Sequence, residues 1–180
     1  MADPPITVWE GQWLRMVCRG HWEYVERTNA GGMAVIVIAA TPEGKLLFVE
    51  QTRAPLDGKT IEMPAGLVGD IDAGESLLLA AQRELLEETG WHAGKLEWLL
   101  TGPSSSGMST EQVAFVRATQ LERVHAGGGD DSEDIIVHEV PIADAPRWLA
   151  ARMAEGYAMD AKLWAGLWLL ERNPDGSAAD

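Results

Sequence analysis

The 180-residue chain is short of several things, and each shortage removes a class of protein. It carries one cysteine, Cys18, so no internal disulfide can form. A disulfide-stapled secreted scaffold is excluded, and a reducing, cytoplasmic setting is expected. No apolar run approaches the roughly 18 residues needed to cross a bilayer as a helix, so no membrane association is expected. The opening MADPPITVWEGQW has no basic region followed by an apolar stretch, and a secretory leader is not expected. Lysines number only four, and 14 basic residues face 28 acidic ones, a formal net charge of −14. DNA and RNA backbones are bound through Lys/Arg patches, so no nucleic-acid partner is expected. A phosphorylated ligand would need an attraction other than bulk charge. Carboxylates holding divalent cations offer one, although the acidity taken alone reads as solubility.

What is present is globular. Apolar residues make up 46% and charged residues 23%, enough buried surface to offset the entropy of ordering. The length is that of one domain with room for a small appendage. Residues 14–18 and 22–27 read as a hairpin around Gly20. The β-branched run 33–41 reads as a buried strand, 41–44 as a turn and 45–53 as the returning strand. A short segment, 60–63, leads to Pro64-Ala65-Gly66. The longest helix is expected over 76–89 with Gly90 as its stop. Strands follow at 96–100, 112–119 and 135–140, separated by a glycine-rich acidic loop over 125–134. Helices over 145–154 and 161–172 close the chain, before a polar tail, 173–180, expected to fray. The eight tryptophans read mostly as buried; Trp164 and Trp168, with Leu167, read as a core or interface stripe. The pattern is a mixed α/β layered domain.

The stretch Gly69–Trp91, GDIDAGESLLLAAQRELLEETGW, carries the chemistry. On a helix, Glu84, Glu87 and Glu88 share one face, while Leu77, Ala81 and Leu85 share another that packs inward. Like charges on adjacent turns repel. The cluster becomes favourable against hard divalent cations, which take oxygen ligands. Metal held there can neutralise a diphosphate and orient an attacking water.

The larger pattern is Gly69, five residues, Glu75, seven residues, then Arg83-Glu84-Leu85-x-Glu87-Glu88-x-Gly90-Trp91. It resembles the Nudix box of the Nudix hydrolases at every fixed position and at both apolar ones. The resemblance implies an α/β (α+β mixed) fold: a mixed sheet sandwiched between helices, with the box as loop–helix–loop. It implies a metal-binding set of Glu84, Glu87 and Glu88 served by Mg²⁺, with Mn²⁺ as substitute. Gly69 and Gly90 allow the tight backbone at the two ends of the helix, and Arg83 can pair with Glu75 to steady the acidic face.

The flanks, Trp22-Glu23, Arg27, Glu50–Arg53, Glu62–Gly66 and Pro103…Gly107…Ser109…Glu111, resemble the ADP-ribose pyrophosphatase branch over residues 9–171. That resemblance implies residues 1–30 as an N-terminal strand extension able to mediate a homodimer, and residues 31–172 as the catalytic domain. It implies hydrolysis of a nucleoside diphosphate derivative, ADP-ribose to AMP and ribose 5-phosphate. A GDP-mannose or UDP-sugar hydrolase is the alternative within the same chemistry, and a noncatalytic nucleotide sensor is the alternative from another class. By position, Ala65 offers a backbone carbonyl to metal, and Trp22 stacks on the adenine or packs in the core. Arg27 and Arg53 reach phosphates or the terminal ribose. Glu62 accepts from ribose hydroxyls, supports Arg53, or both, and Glu111 joins the substrate-binding set. The general base is expected on the acidic loop, at Glu133 or Asp131, with the flanking glycines letting the loop close and open. Two departures stand out. Gly66 precedes the first box glycine by three residues, so 67–69 read as a small insertion, and Thr52 stands where an aromatic is common.

Overall fold

The computed structural model describes residues 3–28, 30–129 and 134–179. In chain order the elements are β1 (Ile6–Glu10), β2 (Leu14–Arg19), β3 (Trp22–Arg27), β4 (Met33–Ala39), β5 (Lys45–Arg53), β6 (Gly58–Glu62), β7 (Ala65–Leu67), α1 (Leu77–Thr89), β8 (Trp91–Pro103), β9 (Gln112–Arg123), β10 (Ile136–Pro141), α2 (Ala145–Ala154), β11 (Ala158–Met159) and α3 (Lys162–Glu171). They form a three-stranded antiparallel sheet, β1-β2-β3, and two four-stranded mixed sheets, β7-β4-β9-β8 and β10-β5-β6-β11.

The central sheets explain why 33–39 is apolar at every position. Strand side chains alternate between faces. In β4, Val35, Val37 and Ala39 enter one core with Ala80, Ala81 and Leu85 of α1. Ile36 and Ile38 enter the other, with Phe48, Ile61, Leu149 of α2, and Leu163 and Leu169 of α3. A strand covered on both faces has no polar side to show. The β4–β9 pairing is parallel, from Met33 opposite Gln112 to Ala39 opposite Ala118. That pairing brings the chain on either side of α1 into one sheet.

Several expectations change. The three strands β1, β7 and β11 are unmarked in the sequence; β1 pairs with the next strand, β2, whereas β7 and β11 are two or three residues long and depend on a distant partner strand for their hydrogen bonds. The strand expected over 96–100 runs from Trp91 to Pro103, with a bulge between Trp98 and Leu100. Burial of most tryptophans is wrong. Trp9, Trp13, Trp22, Trp98, Trp164 and Trp168 are exposed, and Trp91 is the buried one. The N-terminal sheet lies outside both cores, and its indoles Trp9 and Trp22 stay at the surface. The tail expected to fray turns back instead. Asn173 N–H donates to Ser177 O at 2.8 Å and Ala179 N–H to Glu171 O at 2.9 Å. Buried Arg117 reinforces this, donating to the carbonyls of Leu169 and Arg172 at the end of α3 and to Asn173 Oδ1.

Candidate active site

Helix α1 starts where Ser76 Oγ accepts the N–H of Leu79 at 3.4 Å and stops where Gly90 turns left-handed, with φ +75°. Between these caps Ala80, Ala81 and Leu85 face the core. Glu84 and Glu88 are also buried, at 8% and 2% exposure, whereas the Glu87 side chain is 46% exposed. Burying two carboxylates is costly unless partners meet them.

The partners are specific. Glu88 accepts from Gln51 Nε2 at 3.2 Å and from the Ala65 backbone N–H at 3.0 Å. Arg83 binds Glu75 through two nitrogens, at 2.9 and 3.1 Å, and also reaches Glu84 at 2.8 Å, Glu87 at 3.2 Å, Asp70 at 3.0 Å and the Leu67 carbonyl at 3.1 Å. Gly69, at φ +80°, donates its N–H to Glu75 Oε2 at 3.2 Å. The Arg83 hydrogen bond, then that from Gly69, holds Glu75 below the ordinary carboxylate range. Glu84 goes the other way. Burial pushes it up to about 7 against the pull of Arg83, and repulsion from Asp70 and Glu87 adds to the rise.

Gly66 explains how Glu84 fits. A Cβ at Gly66 would overlap the Glu84 carboxylate, so the glycine opens the groove in which that side chain lies. The two glycines three residues apart thus have different jobs: Gly66 cradles a carboxylate and Gly69 turns the chain.

A cavity of about 540 Å³ opens over this face. Glu84, Glu87 and Arg83 of α1 line it with Ala65 and Gly66, and Arg27, Arg53, Glu62 and Glu111 line it from other strands and loops. Arg27 Nε pairs with Glu111 Oε2 at 2.6 Å. Arg53 binds Glu62 through two nitrogens, at 2.7 and 2.8 Å. Burial disfavours the Glu62 charge, but hydrogen bonds from Arg53 and Thr60 outweigh it and hold the group below its ordinary value. Trp22 is not brought to this cavity within the chain. It is 56% exposed and lines a different hollow, of about 320 Å³, with Arg19, Tyr24 and residues 106–110. Glu133 and Asp131 lie outside the described residues.

The comparisons decide the lineage. The NUDIX domain family matches residues 31–160, most of the chain. The chain belongs to the Nudix family. Among its relatives, an ADP-ribose pyrophosphatase of Bacillus subtilis is 37% identical over 120 residues, covering 66% of this chain and 63% of that protein. A methanol dehydrogenase activator of Bacillus methanolicus is 36% identical over 117 residues, covering 64% of this chain and 62% of that one. In both, the match spans less than two thirds of the relative's own length. A GDP-mannose pyrophosphatase of Pectobacterium atrosepticum is 32% identical over 142 residues, covering 74% and 69%. The solved structure of an ADP compounds hydrolase superposes with a TM-score of 0.64 over 82% of each chain at 21% identity, which shows the shared Nudix fold.

Nudix proteins generally use divalent metal ions, and this donor set suits a hard cation: oxygen ligands on one helix face and a glycine cradle beneath one of them. Among the described residues, no three acidic, histidine or cysteine side chains converge closely enough to enclose an ion. Glu84 and Glu87 lean on Arg83, and Glu88 on Gln51 and Ala65. A cation entering this Nudix site would compete with the Arg83 guanidinium for Glu84 and Glu87.

The glycines that lead into the acidic loop pack against α1. Gly128 and Gly129 donate to the carbonyls of Glu88 and Glu87, at 2.8 and 3.1 Å, capping the end of α1. A Cβ at Gly127 would strike the backbone of Glu88 and Thr89. These glycines therefore allow close docking against the glutamate helix. Sequence reasoning missed Gln51, Asp70, Asp160 and Lys162. Gln51 stands inside the Glu50–Arg53 segment, and Lys162 is one of four lysines. No local pattern marks the two aspartates.

Proposed function

We propose that this protein hydrolyses the diphosphate linkage of a nucleoside diphosphate derivative with the help of Mg²⁺, or Mn²⁺ in its place, and that ADP-ribose, cleaved to AMP and ribose 5-phosphate, is its substrate. The observation that carries the reading is Glu84 and Glu87 of α1 lining a cavity that also holds the Arg27–Glu111 and Arg53–Glu62 pairs, with Glu88 buried next to them on the same helix. Glu84, Glu87, Glu88 and the Ala65 carbonyl would hold the metal, which when bound screens the diphosphate charge and polarises the bond to be broken. Arg27 and Arg53 supply fork-shaped donors for phosphate oxygens or ribose hydroxyls, and their carboxylate partners keep them aimed. Glu62 and Glu111 then serve both guanidinium and sugar. Glu133, with Asp131 as the alternative, takes the proton from the attacking water. GDP-mannose is the second reading, favoured by the similarity to GDP-mannose pyrophosphatases.

The same reading includes a homodimer formed through the N-terminal sheet. Ile6, Val8, Trp9, Trp13, Leu14 and Trp22 are exposed there, an apolar patch of the kind that marks an interface. Dimerisation would bring Trp22 to a neighbouring site, where it can stack on a base.

Product analysis tests the activity. The protein with Mg²⁺ is given ADP-ribose, ADP-glucose, GDP-mannose, UDP-glucose and a nucleoside triphosphate, with Glu88→Gln as control. AMP and ribose 5-phosphate from ADP-ribose at the highest kcat/KM is the expected result, with turnover down by orders of magnitude in Glu88→Gln. Preference for GDP-mannose would move the substrate and keep the chemistry. No cleavage of any of them would sink the proposal.

A further inference from the structure

The active-site cavity meets a second hollow, of about 370 Å³, and the two share Arg53, Glu62 and Asp160. Beyond that shared wall the second hollow is lined by Pro55, Leu56, Ala158 and Met159, which are apolar, and by Thr60, whose hydroxyl is already engaged with Glu62 and the Gln51 carbonyl. Asp160 is held at the junction from several directions. Its N–H donates to the Ile61 carbonyl at 3.2 Å, its Oδ1 accepts the Lys162 N–H at 2.9 Å, and its Oδ2 meets Lys162 Nζ at 2.7 Å. Lys162 lines the main cavity from the first residue of α3, across the chain from the glutamate helix.

The chemistry of this pair differs from that of the arginine pairs. Arg27 meets Glu111 through Nε and Arg53 meets Glu62 through two nitrogens, so each presents a planar fork that suits phosphate oxygens. The Lys162 ammonium carries three N–H donors, and the Asp160 carboxylate about four acceptor positions, so each keeps capacity beyond the contacts made within the pair. A fixed donor beside a fixed acceptor matches adjacent sugar hydroxyls, each of which both donates and accepts. Behind the pair, the walls of the second hollow limit size without demanding hydrogen bonds.

We propose that Asp160 and Lys162 form the subsite that reads the hydroxyls of the distal sugar, the one that departs with the second phosphate, and that the Pro55–Leu56–Met159 hollow sets how large that sugar can be. This rests on the diphosphate-hydrolase reading above. It explains where selectivity between ribose and a hexose is set, at a place separate from the glutamates that perform the cleavage.

Paired substrates test it. ADP-ribose and ADP-glucose share a base and differ in the distal sugar; ADP-ribose and inosine diphosphate ribose share the sugar and differ in the base. In Lys162→Gln and Asp160→Asn, KM for ADP-ribose should rise about 10- to 100-fold with kcat within about threefold. The ADP-ribose to ADP-glucose ratio of kcat/KM should change, and the ADP-ribose to inosine diphosphate ribose ratio should not. Asp160→Asn keeps an oxygen for the Lys162 N–H, so the start of α3 is preserved. Met159→Trp should turn preference toward the smaller sugar. Equal losses on all substrates, or a change confined to the base comparison, would overturn the subsite. If the wild-type protein cleaves nothing, the hydrolase reading fails on its own, and calorimetry with ribose 5-phosphate still decides here. Binding to wild type that is lost in Lys162→Gln supports the subsite, and equal binding or none to wild type refutes it.

Discussion

Glu84 is a single residue whose burial works against folding. Its carboxyl is pushed up to about 7 from an ordinary value near 4.5, chiefly by burial. A carboxyl whose pKa rises on folding takes up a proton as the chain folds, between those two values. Its ionisation therefore subtracts stability as pH climbs through this window, the full cost being present above about 7. In metal-free protein, Glu84→Gln should melt higher than wild type at pH 8, by up to about 3 kcal/mol of stability, and the advantage should vanish near pH 5. Thermal melts in chelator across that range check the sign. A divalent ion bound by Glu84 must displace the proton, so uptake near pH 6 should release about one proton, read by calorimetry in buffers of different ionisation enthalpy. Gly66 is the companion residue. Gly66→Ala places a methyl where the Glu84 carboxylate lies. Turnover should fall about 10- to 100-fold, as for loss of a ligand-positioning contact, with circular dichroism unchanged.

At the scale of elements, α1 is defined at its end by a neighbouring segment as much as by its own sequence. Gly90 is left-handed, its N–H returns to Leu86 O at 2.8 Å, and a Cβ there would strike the His125 carbonyl and the Gly127 backbone. Gly90→Ala combines a left-handed alanine with a backbone clash, and it should destabilise the protein by about 2 kcal/mol or more, measured by denaturant unfolding. The helix and its stop are legible because Ser76, the apolar spacing and Gly90 are all local signals. The role of Gly127–Gly129 is not local, since their amide partners are the carbonyls of Glu87 and Glu88, about forty residues earlier in the chain. The same holds for β7 and β11, two- or three-residue strands whose identity lies in what they pair with.

Across the whole molecule, two cores hold the mixed sheets and helices, and the N-terminal sheet buries Val17 but carries Ile6, Val8, Trp9, Leu14 and Trp22 at the surface. No helix among the described residues is long and apolar enough to cross a membrane. Replacing Trp9 and Trp13 together with serine should leave a folded protein, because neither is in a core, and should convert a dimer to a monomer in light scattering after size exclusion. A monomeric wild type would refute the interface.

The box residues, the helix they occupy and the family were all determined by the sequence, because glycine turns, a capped helix and carboxylates at i, i+3 and i+4 are encoded within some twenty consecutive residues. The tertiary structure alone decided how those carboxylates are held. Gln51 reaches Glu88 from β5, Gly66 makes room for Glu84 from β7, and Asp160 and Lys162 close the cavity from the far end of the chain. It also left Trp22 at a separate hollow. The physical reason is that hydrogen bonds and close approaches between distant segments depend on sheet register and packing, and these are settled only when the two cores form.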